Sequence, residues 1–473
     1  MHARGPADVP ERVETIRSAQ PVPFSVRRRS AARRRGHLPG HHGDHRSTGR
    51  VVAIPFWTGE AGDGSVRGGS RRWGDAVARW LGARSRRGHT KRSLRTSVIL
   101  LTVFATCGLL GAPAAEAFRP EGPLRINQIQ VIGTHNSYHV EASPAEEALR
   151  SSLDPTGEQA LEYDHPGLAQ QFSDENIRQI ELDVFADPRG GLYAHPLIRA
   201  QLGEGAYSPA MNRPGIKVLH LQDIDYRSSC LSFRRCLRAV EKWSDAHPAH
   251  VPITILVELV DQPLVIPGAP FPFTQPVKWD AGQLDGLDRE IRGVFRSGDV
   301  ITPDAVRGHY PTLEDAVLNH GWPTLARSRG KVMFLMDNAG DYRTAYLSGH
   351  PALRGRELFT NSVPGQPDAA FIKENDPTGS GLARIQNEVR AGYIVRTRAD
   401  VDTAQARTGD TTMRDAALAS GAQLVSTDYP VPRIAARFGT DYVAQLPGGV
   451  AARCNPVNAS HRCSDAALEP TRR

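Results

Sequence analysis

Residues 131–140 read VIGTHNSYHV. Val131 and Ile132 open as a buried strand does, and the chain then turns abruptly polar through His135, Asn136, Ser137, Tyr138 and His139. A strand end of this kind is either a plain loop or one piece of an active site. A second stretch, IELDVF, places Glu181 and Asp183 two residues apart. In a strand both point to one face, while Ile180, Leu182 and Val184 take the other. Two carboxylates side by side repel unless positive charge lies between them, and a hard cation with oxygen ligands answers that need. A solvated surface pair is the plainer alternative, and the otherwise apolar strand argues against it. Glu258, at the end of ITILVELVD, supplies a third carboxylate, and Asn136 supplies a neutral oxygen. Three carboxylates and an amide make a Ca²⁺ set; Zn²⁺ would call for more nitrogen or sulfur. His195, in GGLYAHP, follows Asp183 by a dozen residues, enough for a short excursion back over the same mouth. With His135 it offers a base and an acid, the pair that cleavage of a phosphodiester uses.

Such a set needs several strand ends brought to one place. Beyond residue 118 the chain repeats a short apolar run, a polar ending and a longer segment with room for a helix. The runs cover 126–135, 178–185, 217–224, 252–261, 331–338, 369–376, 392–400 and 422–430. Amphipathic stretches such as CLRAVEKWSDAH and TMRDAALASG lie between them. Alternating β and α elements argue for a parallel sheet with helices outside, and eight runs suggest a (β/α)8 TIM-type barrel. The gap from 262 to 330 reads as an insertion after strand four, partly helical and partly Pro-rich. A doubly wound sheet is the rival, weakened because no Gly-x-Gly-x-x-Gly turn follows the first strand. Barrel enzymes build their sites at the carboxyl ends of the strands, which is where the polar endings fall.

Charge divides the chain. Of 58 Lys+Arg and 51 Asp+Glu, 21 and 8 fall in residues 1–117, so the formal charge of +7 belongs to the front and the remainder is acidic. The folded part therefore gives no electrostatic case for nucleic acid. Residues 1–90 are rich in Arg, Gly and His and read as a disordered extension, or as an overextended reading frame. Residues 91–117 carry a basic start, an apolar run from Val98 to Leu110 and Ala115-Glu116-Ala117, the order of a secretory signal peptide. Residues 118–473 form the barrel with a C-terminal tail. Cleavage after Ala117 leaves Cys230, Cys236, Cys454 and Cys463. Their spacing suggests disulfides Cys230–Cys236 and Cys454–Cys463, although three connectivities stay open.

Weaker signals are Arg396 and Arg398, two apart at the end of the seventh run and suited to phosphate, or to pairing with Asp400. Lys217, His220, Asp223 and Asp225 either line the mouth or serve structure. Phe271, Phe273 and Trp279 stand on a Pro-rich loop that either enters a lipid interface or packs on the barrel.

GTHNSYH, ELDVF, a His about a dozen residues on and a strand-end Glu together resemble the phosphatidylinositol-specific phospholipase C superfamily, in particular its secreted bacterial Ca²⁺-dependent branch. LDVFADPRGGLYAHP, KVLHLQDIDYRSSC and LVSTDYP are similar to that branch too, and the resemblance spans roughly residues 124–450. It implies a barrel, catalytic His135 and His195, and Asn136, Glu181, Asp183 and Glu258 as Ca²⁺ ligands. The metal-independent bacterial branch has Asp after the first His and an Arg in place of the metal; Asn136 and the Glu181/Asp183 pair side with the calcium users. The implied reaction is attack of the inositol 2-hydroxyl on the 1-phosphate, releasing diacylglycerol and a cyclic inositol phosphate. The expected protein is a secreted monomer acting on phospholipid at a membrane surface, without nucleic acid. A glycerophosphodiester phosphodiesterase, or a catalytically inactive lipid-binding barrel, are the alternatives. N-terminal sequencing of exported protein is expected to begin at Phe118; a mature, lipid-modified product that keeps Cys107 would contradict the signal-peptide reading.

Overall fold

The computed structural model describes residues 122–469 apart from Pro267 and Pro270, so the expected extension 1–90 and signal peptide 91–117 lie outside the described residues. Ten strands occur in chain order: β1 Ile129–Thr134, β2 Gln179–Phe185, β3 Lys217–Val218, β4 Ile253–Leu259, β5 Val332–Met336, β6 Leu358–Thr360, β7 Phe371–Lys373, β8 Ile394–Arg398, β9 Leu424–Thr427 and β10 Arg453–Cys454. Eight of them pair in parallel in the order β6-β5-β4-β2-β1-β9-β8-β7. A parallel bridge between Asn361 and Phe371 brings β6 and β7 together and nearly closes the ring. This is a (β/α)8 barrel of the TIM type. β10 pairs antiparallel with the start of β1, at the amino end of the barrel.

The expected eight strands were right in number, with one exchange. The run 217–224 is not a barrel strand. Only Lys217 and Val218 pair, and they run antiparallel to the end of β2. The chain then folds back on itself, with Leu221 and Asp225 exchanging backbone hydrogen bonds of 3.0 Å around Asp223 at φ 73°. The barrel position is filled by the three-residue β6, too short to show a periodicity. The insertion after the run 252–261 is present, and it follows the third barrel strand rather than the fourth. It contains the helices Ala281–Arg292, Pro303–Arg307, Leu313–Asn319 and Leu325–Ser328.

Helices cover the outside as the amphipathic stretches imply. In the Phe233–Ala246 helix, Phe233, Cys236, Leu237, Val240 and Trp243 are buried along one stripe. The Thr412–Ser420 helix stops at Gly421, whose φ of 75° is the left-handed cap that glycine adopts freely. Inside the barrel, Gly133 of β1 is the register partner of Gln179 on β2. A Cβ at Gly133 would stand 2.7 Å from Gln179 Cβ and closer still to its amide, so the buried Gln179 fixes the glycine of the GTHN turn. Both expected disulfides are formed, with Cα separations of 5.1 Å for Cys230–Cys236 and 5.9 Å for Cys454–Cys463. No helix among the described residues is long and apolar enough to cross a membrane.

Candidate active site

The carboxyl ends of the barrel strands converge on a cavity lined by polar groups from nearly every strand. β1 ends in His135 and Asn136. Asn136 has a φ of 43°, a left-handed turn that Asn tolerates, and it swings the amide inward. β2 presents Glu181 and Asp183. Asp183 is the register partner of Glu258 on β4, so these two carboxylates point the same way at one level. The three acids bring ligand oxygens within 4.8 Å of one another. Opposite them, Lys373 of β7 and Arg396 of β8 are register partners. Arg396 reaches across to Glu181 at 2.8 Å, and Lys373 pairs with Asp337, just past β5, at 2.6 Å. Arg398 lies 3.6 Å from Asp428, which follows β9.

This is a crowded charge distribution. Glu181, Asp183, Glu258, Asp337 and Asp428 face Lys373, Arg396 and Arg398, and exposed Asp402 sits at the rim. Negative charge is in excess. Burial, together with repulsion from Glu258 and Glu181, raises the Asp183 carboxyl well above its usual range. Burial and the neighbouring Asp337 do the same to Glu258. Asp337 goes the other way: burial alone would raise it, and the Lys373 and Arg396 charges overcome that. The Asn136 amide completes the group. One end lies 3.1 Å from both Asp183 oxygens and the other 3.1 Å from Tyr163 Oη. With its nitrogen toward Asp183 the amide donates to the carboxylate. With its oxygen toward Asp183 two acceptors face each other, an arrangement that a cation between them stabilises. Three carboxylates that raise one another and an adaptable amide oxygen fit a hard divalent cation, with Asn136, Glu181, Asp183 and Glu258 as its holders.

Two imidazoles share one design. His135 Nδ1 lies 2.8 Å from Asp428 Oδ1, and its Nε2 faces the cavity 3.9 Å from Glu181. Burial and the Arg398 charge depress His135 well below the ordinary imidazole value, so the ring is neutral, and Asp428 takes the Nδ1 proton as acceptor. His220 Nδ1 lies 2.8 Å from Asp225 Oδ2, and His220 also lines the cavity. Asp225 further accepts from His139 at 3.1 Å and from Arg150 at 2.7 Å, and it stays ionised well below the usual carboxylate range; burial opposes this, and His139 and Arg150 overcome it.

His195 does not join this cluster. It is exposed and does not line the cavity. Its neighbours Tyr193 and Ala194 bury against Phe185, Met211 and Leu219, which turns the next side chain outward. The second cavity imidazole is instead His220, brought in by the fold-back at 221–225 that takes the place of the expected third strand. Lys217 is also withdrawn from the mouth, buried against Asp187 at 2.9 Å. Arg396 and Arg398 do line the cavity, together with Asp337, Lys373 and Asp428, which sequence reasoning did not single out. Each of these three stands at the polar end of a recognised apolar run, and that position was the available signal.

Such a site, with two carboxylate-tethered imidazoles, three permanent cations and a hard-cation nest at a barrel mouth, defines a class of barrel enzymes that act on phosphate esters. The chain belongs to the Ca²⁺-dependent phosphoinositide phospholipase C family, whose pattern it matches over residues 124–456. It is thus a phosphodiester hydrolase of a Ca²⁺-dependent family. Among solved structures it is similar to the calcium-dependent phosphoinositol-specific phospholipase C of a Gram-negative Pseudomonas species, with 18% identity over 70% of this chain and 95% of that one and a TM-score of 0.41. It is also similar to the Ca²⁺-dependent phosphatidylinositol-specific phospholipase C of Streptomyces antibioticus, with 17% identity over 65% and 95% and a TM-score of 0.40. A glycerophosphoryl diester phosphodiesterase from Parabacteroides distasonis follows at 11% identity over 66% and 86%, with a TM-score of 0.25. A search of curated proteins found no match.

Calorimetric titration checks the proposed ligand set. Glu258→Gln is expected to weaken Ca²⁺ binding by at least about 10-fold, since removing even a partner of a ligand acts on that scale. His220→Ala is expected to leave the affinity unchanged. Wild-type affinity in the Glu258 variant would show that the ligands lie elsewhere.

Proposed function

We propose that the protein cleaves phosphatidylinositol to diacylglycerol and a cyclic inositol phosphate, with His135 and His220 as the proton-transfer pair. The observation that carries this reading is the matched tethering of two imidazoles, each held through Nδ1 by a carboxylate with its other nitrogen left for the cavity. His135 is neutral and its Nε2 accepts, so it takes the proton of the inositol 2-hydroxyl as that oxygen attacks phosphorus. Asp428 holds the productive tautomer and stabilises the imidazolium that results, as an orienting carboxylate does beside other catalytic histidines. His220, held through Nδ1 by Asp225, delivers a proton from Nε2 to the glyceryl oxygen as the P–O bond breaks. One P–O bond forms and one breaks, and each oxygen exchanges a single proton. Arg396, Arg398 and Lys373 hold the non-bridging phosphate oxygens, for which guanidinium forks are well shaped. Ca²⁺ held by Asn136, Glu181, Asp183 and Glu258 would lower the pKa of the attacking hydroxyl and offset charge developing on the phosphate.

The same reading places the enzyme outside the cell, as a monomer that works on a phospholipid surface and has no nucleic-acid partner. The signal-like order of residues 91–117 and the two disulfides support export. Exposed Leu192, Val265 and Val363 support approach to a bilayer, because they stand on loops that leave the carboxyl ends of β2, β4 and β6, around the mouth. Phe273 and Trp279 do not contribute, since both are buried against the protein.

An assay on phosphatidylinositol vesicles tests the proposal. Activity is expected with Ca²⁺ and none with a chelator. His220→Ala is expected to cost on the order of 10² to 10⁴ in kcat/KM, the usual span for an acid–base group. His195→Ala is expected to stay within about two-fold of wild type, the normal outcome for an exposed side chain. Full activity in the chelator, or a His195 variant as impaired as the His220 variant, would overturn the mechanism.

A further inference from the structure

A second, larger groove of about 750 Å³ lies on the flank of the barrel, outside the catalytic cavity. Its walls are the Phe233–Ala246 and Ala281–Arg292 helices and the loop around residues 210–217. Gly282 and Gly286, one turn apart on the second helix, keep that wall low. The groove is strongly basic. Arg213, Arg234, Arg235, Arg238 and Arg289 line it, and all five are exposed. The two acids within it are already engaged. Asp187 pairs with Lys217 at 2.9 Å, and Glu290 accepts from the Ile216 backbone N–H at 3.1 Å. Arg213, Arg235, Arg238 and Arg289 have no ion pair and no side-chain hydrogen bond with any of the described residues. This concentration of unmatched positive charge sits on a folded region whose overall balance is acidic. Elsewhere the arginines of the fold are largely paired, as Arg150, Arg343 and Arg356 are.

The groove also has a direction. Asp187 and Pro188 lie just beyond the carboxyl end of β2, and Arg234 and Arg235 stand in the first turn of their helix. A helix that returns from the carboxyl end of the sheet begins at that end, so the groove opens near the same face as the catalytic mouth. We propose that this groove is an accessory anion site that takes the phosphate-bearing headgroups of an anionic phospholipid surface, beside the active site rather than within it. Guanidinium forks suit phosphate oxygens, and several of them aligned along a groove suit a surface that repeats the charge. The choice of a bilayer as the source of phosphate rests on the function proposed above; the basic groove itself does not.

The test uses the full chain, wild type against the Arg235→Gln/Arg238→Gln variant, in the presence of a chelator. Both carry the same basic N-terminal segment, so their difference reports the groove. Sedimentation with phosphatidylcholine vesicles containing phosphatidylglycerol, which is not the proposed substrate, is expected to show about five-fold weaker partitioning per arginine removed. The difference is expected to shrink as salt is raised. Equal partitioning of the two proteins would overturn the proposal. Titration with inorganic phosphate forms a second arm: arginine-dependent binding of free phosphate without any vesicle difference would overturn the bilayer as the source. Hydrolysis of phosphatidylinositol by wild type is measured separately, so loss of the enzymatic reading and loss of the groove are distinguishable. Thermal unfolding checks that the double variant is folded; if it is not, Arg289→Gln on the opposite wall supplies the same comparison.

Discussion

Mutual repulsion among carboxylates at one end of the barrel is the constraint on which the rest of the structure depends. Asp183 and Glu258 are register partners on adjacent parallel strands, and Glu181 lies one pleat below. No rearrangement of side chains separates groups that the ladder itself aligns. Burial makes the repulsion worse, because the charged forms of Asp183 and Glu258 lose hydration. The far wall therefore carries Lys373, Arg396 and Arg398 on β7 and β8, and a divalent cation fits the imbalance that is left. A closed parallel barrel is suited to this task. It holds opposing charges on separate strands at fixed height, so Arg396 meets Glu181 and Lys373 meets Asp337 across the mouth.

The imidazoles obey a different rule. Neither is on a barrel strand; His135 follows β1 immediately, and His220 sits on the fold-back after β3. Loop residues need an external hold to keep one orientation, and each ring has a carboxylate at 2.8 Å. For His220 the hold extends further. Asp225 is shared with His139 and Arg150, and Arg150 pairs with Glu158 at 2.7 Å, so the short helix Pro155–Ala160 and the Pro144–Leu153 helix stand behind one ring nitrogen. The network is buried around the Asp225–Arg150 ion pair, and removing one member leaves the others uncompensated.

Much of this was legible in the sequence because it depends on local pattern. Residues two apart in a strand share a face, so strand periodicity alone places Glu181 beside Asp183 and Arg396 beside Arg398. Apolar runs with polar endings marked seven of the eight barrel strands. Where the structure departs from local pattern, tertiary packing decides. The run 217–224 is as apolar as a strand, and it turns back because it caps the end of β2 antiparallel. β6 has three residues, too few for a period to register. The dozen residues between Asp183 and His195 fix reach and not direction, and the burial of Tyr193 and Ala194 leaves His195 exposed. The tethers at Asp428 and Asp225 join residues 293 and 5 positions apart in sequence, and only the longer one is invisible to local reading.

Thermal unfolding of the full chain as a function of Ca²⁺ addresses the central claim most directly. A cation that binds the native carboxylate cluster and not the unfolded chain stabilises by about 2.7 kcal/mol at 100 times its Kd. The midpoint is expected to climb steadily with Ca²⁺ in the wild type. Asp183→Asn, which relieves the repulsion, is expected to unfold at or above the wild-type temperature without calcium and to be indifferent to its addition. A wild-type midpoint that does not move up to millimolar Ca²⁺, or an Asp183 variant that still responds as wild type does, would contradict the account.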